Sequence, residues 1–267
     1  MEVVISALPG TVLAGIALKK KALTAPGTIL AWSLCLLITY TGGAAAFTIL
    51  AVTFLLTILA DRYAGRRADP GMVRRKSGTR DATRVFCNVG TGAAAILFML
   101  ISGKRFWFTV YAAVMAETFA DSLASKIGPL SNNEPIDICT LKRVPRGLSG
   151  GITLAGSLME FAGAFIIALI YLLFEVLTPQ PALHQSAMAA GIILFSGFAG
   201  AMFDSVLGSK LQVKYICPIC GRITEREMHC GITTAHLSGS RAINNDTVNL
   251  ISNLFTFLLS ALLLRPI

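Results

Sequence analysis

Residues 107–128 read WFTVYAAVMAETFADSLASKIG. The first part of this stretch is aromatic and aliphatic with one Thr, as expected of a helix immersed in hydrocarbon. Glu117 and Asp121 then arrive four positions apart, which puts both carboxylates on one face of the same helix. Two like charges at a bilayer boundary repel and are costly to bury, so a cation or a proton is needed to relieve them. A divalent metal carrying a polyphosphate meets that need, because Mg²⁺ is commonly held by one or two carboxylates together with substrate phosphates. The plain alternative is an ion pair with a neighbouring base such as Lys126 or Lys210.

The rest of the chain is written in the same terms. Of 267 residues, 54% are hydrophobic and 14% charged, with a mean hydropathy of +0.69. That is too apolar for an ordinary soluble domain. A hydrocarbon core needs roughly 20 helical residues to cross. Candidate spans are 3–18, 22–40, 43–60, 86–102, 107–125, 149–174, 186–207 and 247–264. The spacing predicts an all-α integral membrane protein of eight transmembrane helices, or seven if the first, interrupted by Pro9-Gly10, does not span. A β-barrel would show short alternating segments instead. A cleaved signal peptide fits residues 1–18 poorly, because Lys19, Lys20 and Lys21 follow the apolar run.

The basic residues set the expected orientation. Segments 19–21, 61–85, 126–148 and 208–246 hold 3, 8, 4 and 5 of the 23 Lys and Arg; only Lys104, Arg105 and Arg265 lie elsewhere. By the positive-inside rule these segments face the cytoplasm and both termini face away from it. The expectation is a multi-pass protein of the cell membrane, one polytopic domain over 1–267 with long cytoplasmic loops, its site on the cytoplasmic side. The bilayer is a partner and nucleic acid is not. Part of the net charge of +9 is explained by anionic headgroups alone.

A weak internal repeat runs through the chain. GAMFDSVLGSKLQ (200–212) repeats the Asp-Ser core of 121–126, so Asp204 and Ser205 echo Asp121 and Ser122. SGTRDATRVFCN (77–88) resembles SGSRAINNDTVN (238–249). The expected topology gives the copies the same orientation, unlike the inverted repeats of many transporters. Asp204 is therefore a second candidate metal carboxylate.

Three basic, polar segments precede helices. In LKRVPRGLSGGITLAG (141–156), Gly147, Gly150 and Gly151 let backbone N–H groups approach phosphate oxygens at a helix start, while Lys142, Arg143 and Arg146 add charge. Close helix packing is the other use of such glycines. In RRKSGTRDATRVFCNVGTG (74–92), Arg80 suits a bidentate phosphate contact, and a headgroup-binding collar accounts for the segment equally well. In INNDTVN (243–249), capping explains one or two polar residues, and Asn245, Asp246 and Asn249 together suggest a site. Glu160 falls well inside a span and has no evident role.

CPICGRITEREMHCG (217–231) offers Cys217, Cys220, His229 and Cys230 as soft ligands, with His236 as an alternative to His229. Such a Cys₃His set suits a structural Zn²⁺ in a small loop insertion over 213–237. Cys35, Cys87 and Cys139 are scattered.

Taken in order, GTR followed by Asn88, ETFADSLASKIG, KRVPRGLSGGIT, DSVLGSKLQ and NNDTVN resemble the transmembrane protein 19 family, which includes the phytyl-phosphate kinase of tocopherol synthesis. The resemblance runs from about residue 61 to the C-terminus, and the Cys/His loop is similar to microbial, archaeal-type members. It implies a membrane kinase moving a phosphoryl group from CTP, or another nucleoside triphosphate, to an isoprenoid monophosphate of phytyl or geranylgeranyl type. Asp121 and Asp204 would hold Mg²⁺ with Glu117 beside them. Arg80, Lys142 and Arg146 would grip phosphates, with Asn88, Ser122, Ser205 and the 147–151 glycines around them. A CTP-dependent lipid cytidylyltransferase would use the same ingredients, and a lipid or anion transporter would also place polar groups in helices. Chain length of the prenyl group, nucleotide preference and oligomeric state stay open.

Overall fold

The computed structural model describes residues 2–67, 72–73, 79–177 and 183–265, with side chains from residue 10 onward. Among the described residues seven α-helices carry the fold: α1 (Glu2–Lys19), α2 (Ala25–Arg67), α3 (Ala82–Ser102), α4 (Phe106–Ile127), α5 (Leu154–Val176), α6 (Leu183–Lys210) and α7 (Asn245–Leu263). Five of them, α2, α3, α5, α6 and α7, are long and apolar enough to cross a membrane. The expected count of eight spans goes beyond what length and apolarity show. The described part of α1 is a short apolar helix, and α4 carries Glu117 and Asp121. No break appears at Pro9-Gly10: α1 runs through it.

The two helices expected at 22–40 and 43–60 are the two arms of α2, 43 residues that fold back at Gly43. A straight helix of that length would measure about 65 Å. Yet both of its ends meet at one residue. Arg80 N donates to Ala22 O and Thr24 N donates to Arg80 O, each at 3.0 Å, while the Arg80 guanidinium reaches Asp61 Oδ2 at 2.8 Å. The reversal is at Gly43, whose φ of 64° and ψ of −157° lie outside the range of other residues. α2 is thus a hairpin with arms 25–42 and 44–67. Its second arm continues past the predicted end at 60 to Arg67, since backbone pairing does not stop where the apolar run does.

α4 is the centre of the bundle. Every residue from Phe108 to Ala120 is buried, and α2, α3, α5, α6 and α7 all pack on it. Small residues permit that crowding. A Cβ on Gly163 would lie 2.8 Å from Ala120 Cα, and one on Gly197 2.7 Å from Ala116 Cβ. Outward faces carry exposed Ile29, Ile101, Leu158, Phe161, Leu173 and Leu258, suited to lipid. At the end of the bundle holding Gly43, Arg105 pairs with buried Glu175.

The opposite, basic end carries two small substructures. Strands β1 (Ile136–Asp137) and β2 (Gly151–Ile152) pair antiparallel and close a loop that precedes α5. α5 therefore starts at Leu154, five residues after the apolar run suggests, capped by Thr153 accepting from Gly156 N. Asp137 organises the loop: its Oδ1 accepts from Thr140 N, Cys139 N, Thr140 Oγ1 and Ser209 Oγ at 2.8–3.0 Å. Between α6 and α7, β3 (Lys214–Ile216) pairs with β4 (Ile223–Thr224) and β7 (Ala235–Ser238), while β5 (Met228–His229) and β6 (Ile232–Thr233) form a separate hairpin. Glu225 accepts from Ser149 N at 2.8 Å, which joins this ribbon to the glycine-rich loop.

Candidate functional site

The polar residues of α4 and α7 meet inside the bundle. Ser252 Oγ lies 2.7 Å from Glu117 Oε1 and 3.3 Å from Asp204 Oδ2, so one hydroxyl sits between carboxylates of two helices. Thr118 Oγ1 is 3.0 Å from Asn253 Oδ1, and Asn253 Nδ2 donates to Cys87 O at 3.1 Å. Asn249 reaches Asn88 at 3.0 Å. With its amide turned so that the NH₂ group faces the carboxylate, Asn249 instead donates to Asn245 O at 2.9 Å and to Asp204 Oδ2 at 3.2 Å and turns its oxygen to Asn88. Asp204, Glu117, Ser252 and Asn253 are all at least 97% buried. A network at that depth is favourable only when its members are satisfied, and these largely are.

Beside this network lies a cavity of about 470 Å³. One part is apolar, walled by Leu13 and Ala17 of α1, Ala31 and Trp32 of the first α2 arm, and Leu50 and Phe54 of the second. The other part is polar, walled by Asp61, Arg80, Arg84, Asn88, Asp121 and Lys126, with Ser122, Gly147, Asn245 and Asn249 at its margin. Arg80 and Lys126 both pair with Asp61, at 2.8 and 3.3 Å, and Arg84 is 4.0 Å from Asp246. Asp61 was not singled out from the sequence. It lies just past an apolar run, among basic residues, where a lone carboxylate reads as a solvated helix end.

The two repeat aspartates differ in placement. Asp121 lines this cavity and also a second one of about 50 Å³, whereas Asp204 lines neither. Gly150, Gly151, Ser205 and Glu160 face the smaller cavity, and Gly147 faces both. Lys142 is exposed on the loop and lines neither cavity; its carbonyl accepts from Asp137 N at 2.8 Å. Arg146 donates to Asn132 O at 2.7 Å and Arg143 pairs with Glu134. The loop bases thus hold the loop together. Arg74, Arg75 and Lys76 lie outside the described residues.

The four soft donors come together as a separate cluster. Ligand atoms of Cys217, Cys220, His229 and Cys230 all lie within 4.8 Å of one another, with His229 Nδ1 3.4 Å from Cys220 Sγ and 3.2 Å from Cys230 Sγ. Those separations approach the edges of a tetrahedron with bonds of about 2.0–2.3 Å, so the set fits a four-coordinate Zn²⁺. The backbone N–H of Cys220 draws the Cys217 thiol down to about 6, toward the thiolate a metal requires. His236 is placed elsewhere, its Nε2 2.9 Å from Gly239 O and its ring edge-on to Tyr215, so His229 and not His236 completes the cluster.

Thr118, Ser252 and Asn253 escaped the sequence reading because single hydroxyls and amides within spans are common. The available signal was three polar positions, 249, 252 and 253, on one face of α7.

Comparison with known proteins places the chain. It is 27% identical over 266 residues to Protein PGR of Arabidopsis thaliana, spanning 91% of this chain and 90% of that one. It is 32% identical over 168 residues to an uncharacterized membrane protein of Methanocaldococcus jannaschii, covering 61% and 63% of the two chains. An uncharacterized membrane protein of Synechocystis is 26% identical over 203 residues, covering 73% and 74%. No solved structure matches. The profile of the integral membrane protein family DUF92 matches residues 9–257, and the chain belongs to that family.

Proposed function

We propose that the protein is a membrane phosphotransferase that converts an isoprenoid monophosphate to the diphosphate at the expense of a nucleoside triphosphate, CTP first among them. The observation that carries this reading is the two-part cavity: apolar walls from α1 and the α2 hairpin open onto a polar end built by Arg80, Arg84, Asn88 and Asp121. A long apolar ligand with one anionic head fits such a space, its chain among α1 and α2 and its head at the basic end. By the positive-inside rule that end faces the cytoplasm, where the nucleotide is.

In the step, a phosphate oxygen of the lipid attacks the γ-phosphorus of the nucleotide. The bond from that phosphorus to the β–γ bridging oxygen breaks, and the nucleoside diphosphate leaves. Such transfer is mainly positioning and charge neutralisation. Mg²⁺ arriving with the nucleotide would offset the phosphate charge. Asp121 faces the cavity and would hold it, while Glu117 and Asp204 sit behind, joined through Ser252. Arg80 and Lys126, held in place by Asp61, would fix the head group. Gly147, on the loop at the cavity wall, would offer backbone to the nucleotide phosphates. The Cys₃His ribbon would hold a structural Zn²⁺ that steadies the same loop through Glu225 and Ser149.

The test uses purified protein in detergent with Mg²⁺, geranylgeranyl or phytyl monophosphate, and γ-labelled CTP or ATP. Label in an organic-extractable diphosphate is the expected result. Label that enters lipid only from α-labelled CTP would assign a cytidylyltransferase instead. No transfer from either, by folded protein, would overturn the phosphotransferase reading in favour of transport.

A further inference from the structure

The smaller cavity has its own chemistry. It lies between α4, α5 and α6 beneath the glycine-rich loop, and Asp121, Ser157, Glu160 and Ser205 contribute side chains to its wall. Glu160 is 4% exposed and among the described residues its Oε2 has no hydrogen-bond partner. Among the described residues, the Asp121 carboxylate likewise has no hydrogen bond or ion pair. Two unpartnered carboxylates facing one small cavity, Glu160 buried and Asp121 half-buried, repel each other and lack the partner that a buried charge requires.

We propose that this cavity is a cation site in which Asp121 and Glu160 supply the charged ligands and Ser157 and Ser205 the neutral ones. The sign follows from the wall, which among the described residues holds two carboxylates and no Lys or Arg. The class follows from the donors: all are oxygens, which suits a hard divalent ion of the Mg²⁺, Mn²⁺ or Ca²⁺ type and not a thiolate-seeking metal. The size follows from about 50 Å³, enough for an ion and one or two waters and far too small for a nucleotide. The roof is fixed by Gly150, at φ 85°, where a Cβ would come within 2.5 Å of Ser209 Cα. The loop is thereby pressed onto α6 over the cavity. Glu160, which has no part in the phosphotransfer scheme above, acquires a role as the α5 ligand. The site shares Asp121 with that scheme, and its test reads metal binding without nucleotide or lipid, so either can fail while the other stands.

Mn²⁺ is the probe, titrated into the full-length protein in detergent and followed by electron paramagnetic resonance of the free ion. The wild type is expected to bind it saturably, and Mg²⁺ to compete. Glu160→Gln is expected to weaken binding about ten-fold or more. Glu160→Asp, which keeps the charge but shortens its reach, is expected to fall between the two and carries the test if the Gln variant does not fold. Thermal melts without divalent ions should show the variants folded, and added Mn²⁺ should raise the midpoint of the wild type more than that of either variant. Absence of saturable binding in the wild type would overturn the site. So would wild-type affinity in a folded Glu160 variant.

Discussion

Asn88 and Asn249 lie 3.0 Å apart, amide to amide, and they are the equivalent positions of the repeated segments 77–88 and 238–249. The repeat is therefore not two separate modules. Its copies start α3 and α7 at the same end of the bundle and touch across their common boundary, and Asp204 reaches Glu117 of α4 through Ser252. The candidate site grows out of that pairing.

A double-mutant cycle of Asn88→Ala and Asn249→Ala is expected to show a coupling of about 0.6 kcal/mol, the average found for polar pairs between membrane helices. The measurement is reversible unfolding in detergent. Strict additivity would mean that the two amides merely coexist.

Asp121→Asn is expected to reduce phosphoryl transfer by about 10²–10³-fold, as loss of one fixed charge stabiliser does, with no drop in the thermal midpoint because among the described residues that carboxylate has no partner to lose. Asp204→Ala differs. It removes a group bonded to Ser252 and so should lower both activity and stability. Full turnover by Asp121→Asn would remove the metal role from that residue.

Metal analysis of the purified protein should find one Zn²⁺ per chain. Cys220→Ser should release it, and hydrogen exchange at 147–151 should then rise, because Glu225 of the ribbon holds Ser149 N. Unchanged protection of that loop after zinc loss would uncouple the ribbon from the site.

Burial by itself would raise the Asp137 carboxyl, but hydrogen bonds from Thr140, Ser209 and Cys139 outweigh it and leave the group below its usual value. A depressed carboxylate contributes stability above its unfolded pKa of about 3.9 and loses it as pH falls through the lower folded value. Melts from pH 5 downward should show a steep acid limb that Asp137→Asn flattens, from a lower starting midpoint. An acid limb of the same slope in that variant would assign the loss to other carboxylates.

Much of the candidate site was legible because its signals are local. Glu117 and Asp121 stand out as charges in an apolar run, Asp204 as their echo, and Cys217 and Cys220 by their spacing. What stayed hidden depends on partners far along the chain. Ser252 meets Glu117 across 135 positions and Arg80 meets both ends of α2, and no periodicity announces either. The choice between His229 and His236 likewise waited on the path of the ribbon.

The sequence by itself determined a bundle of apolar helices, the basic end of that bundle, and which residues carry charge into it. The tertiary structure alone decided that Arg80 ties together the two ends of the α2 hairpin, that α4 is the central helix, and that Asp121 rather than Asp204 faces the cavities. The reason lies in the solvent. Lipid tails and a helical core are equally apolar, so an apolar face does not say whether it meets lipid or protein, and hydrophobic patterning, so informative in water, leaves the packing of a membrane bundle unwritten.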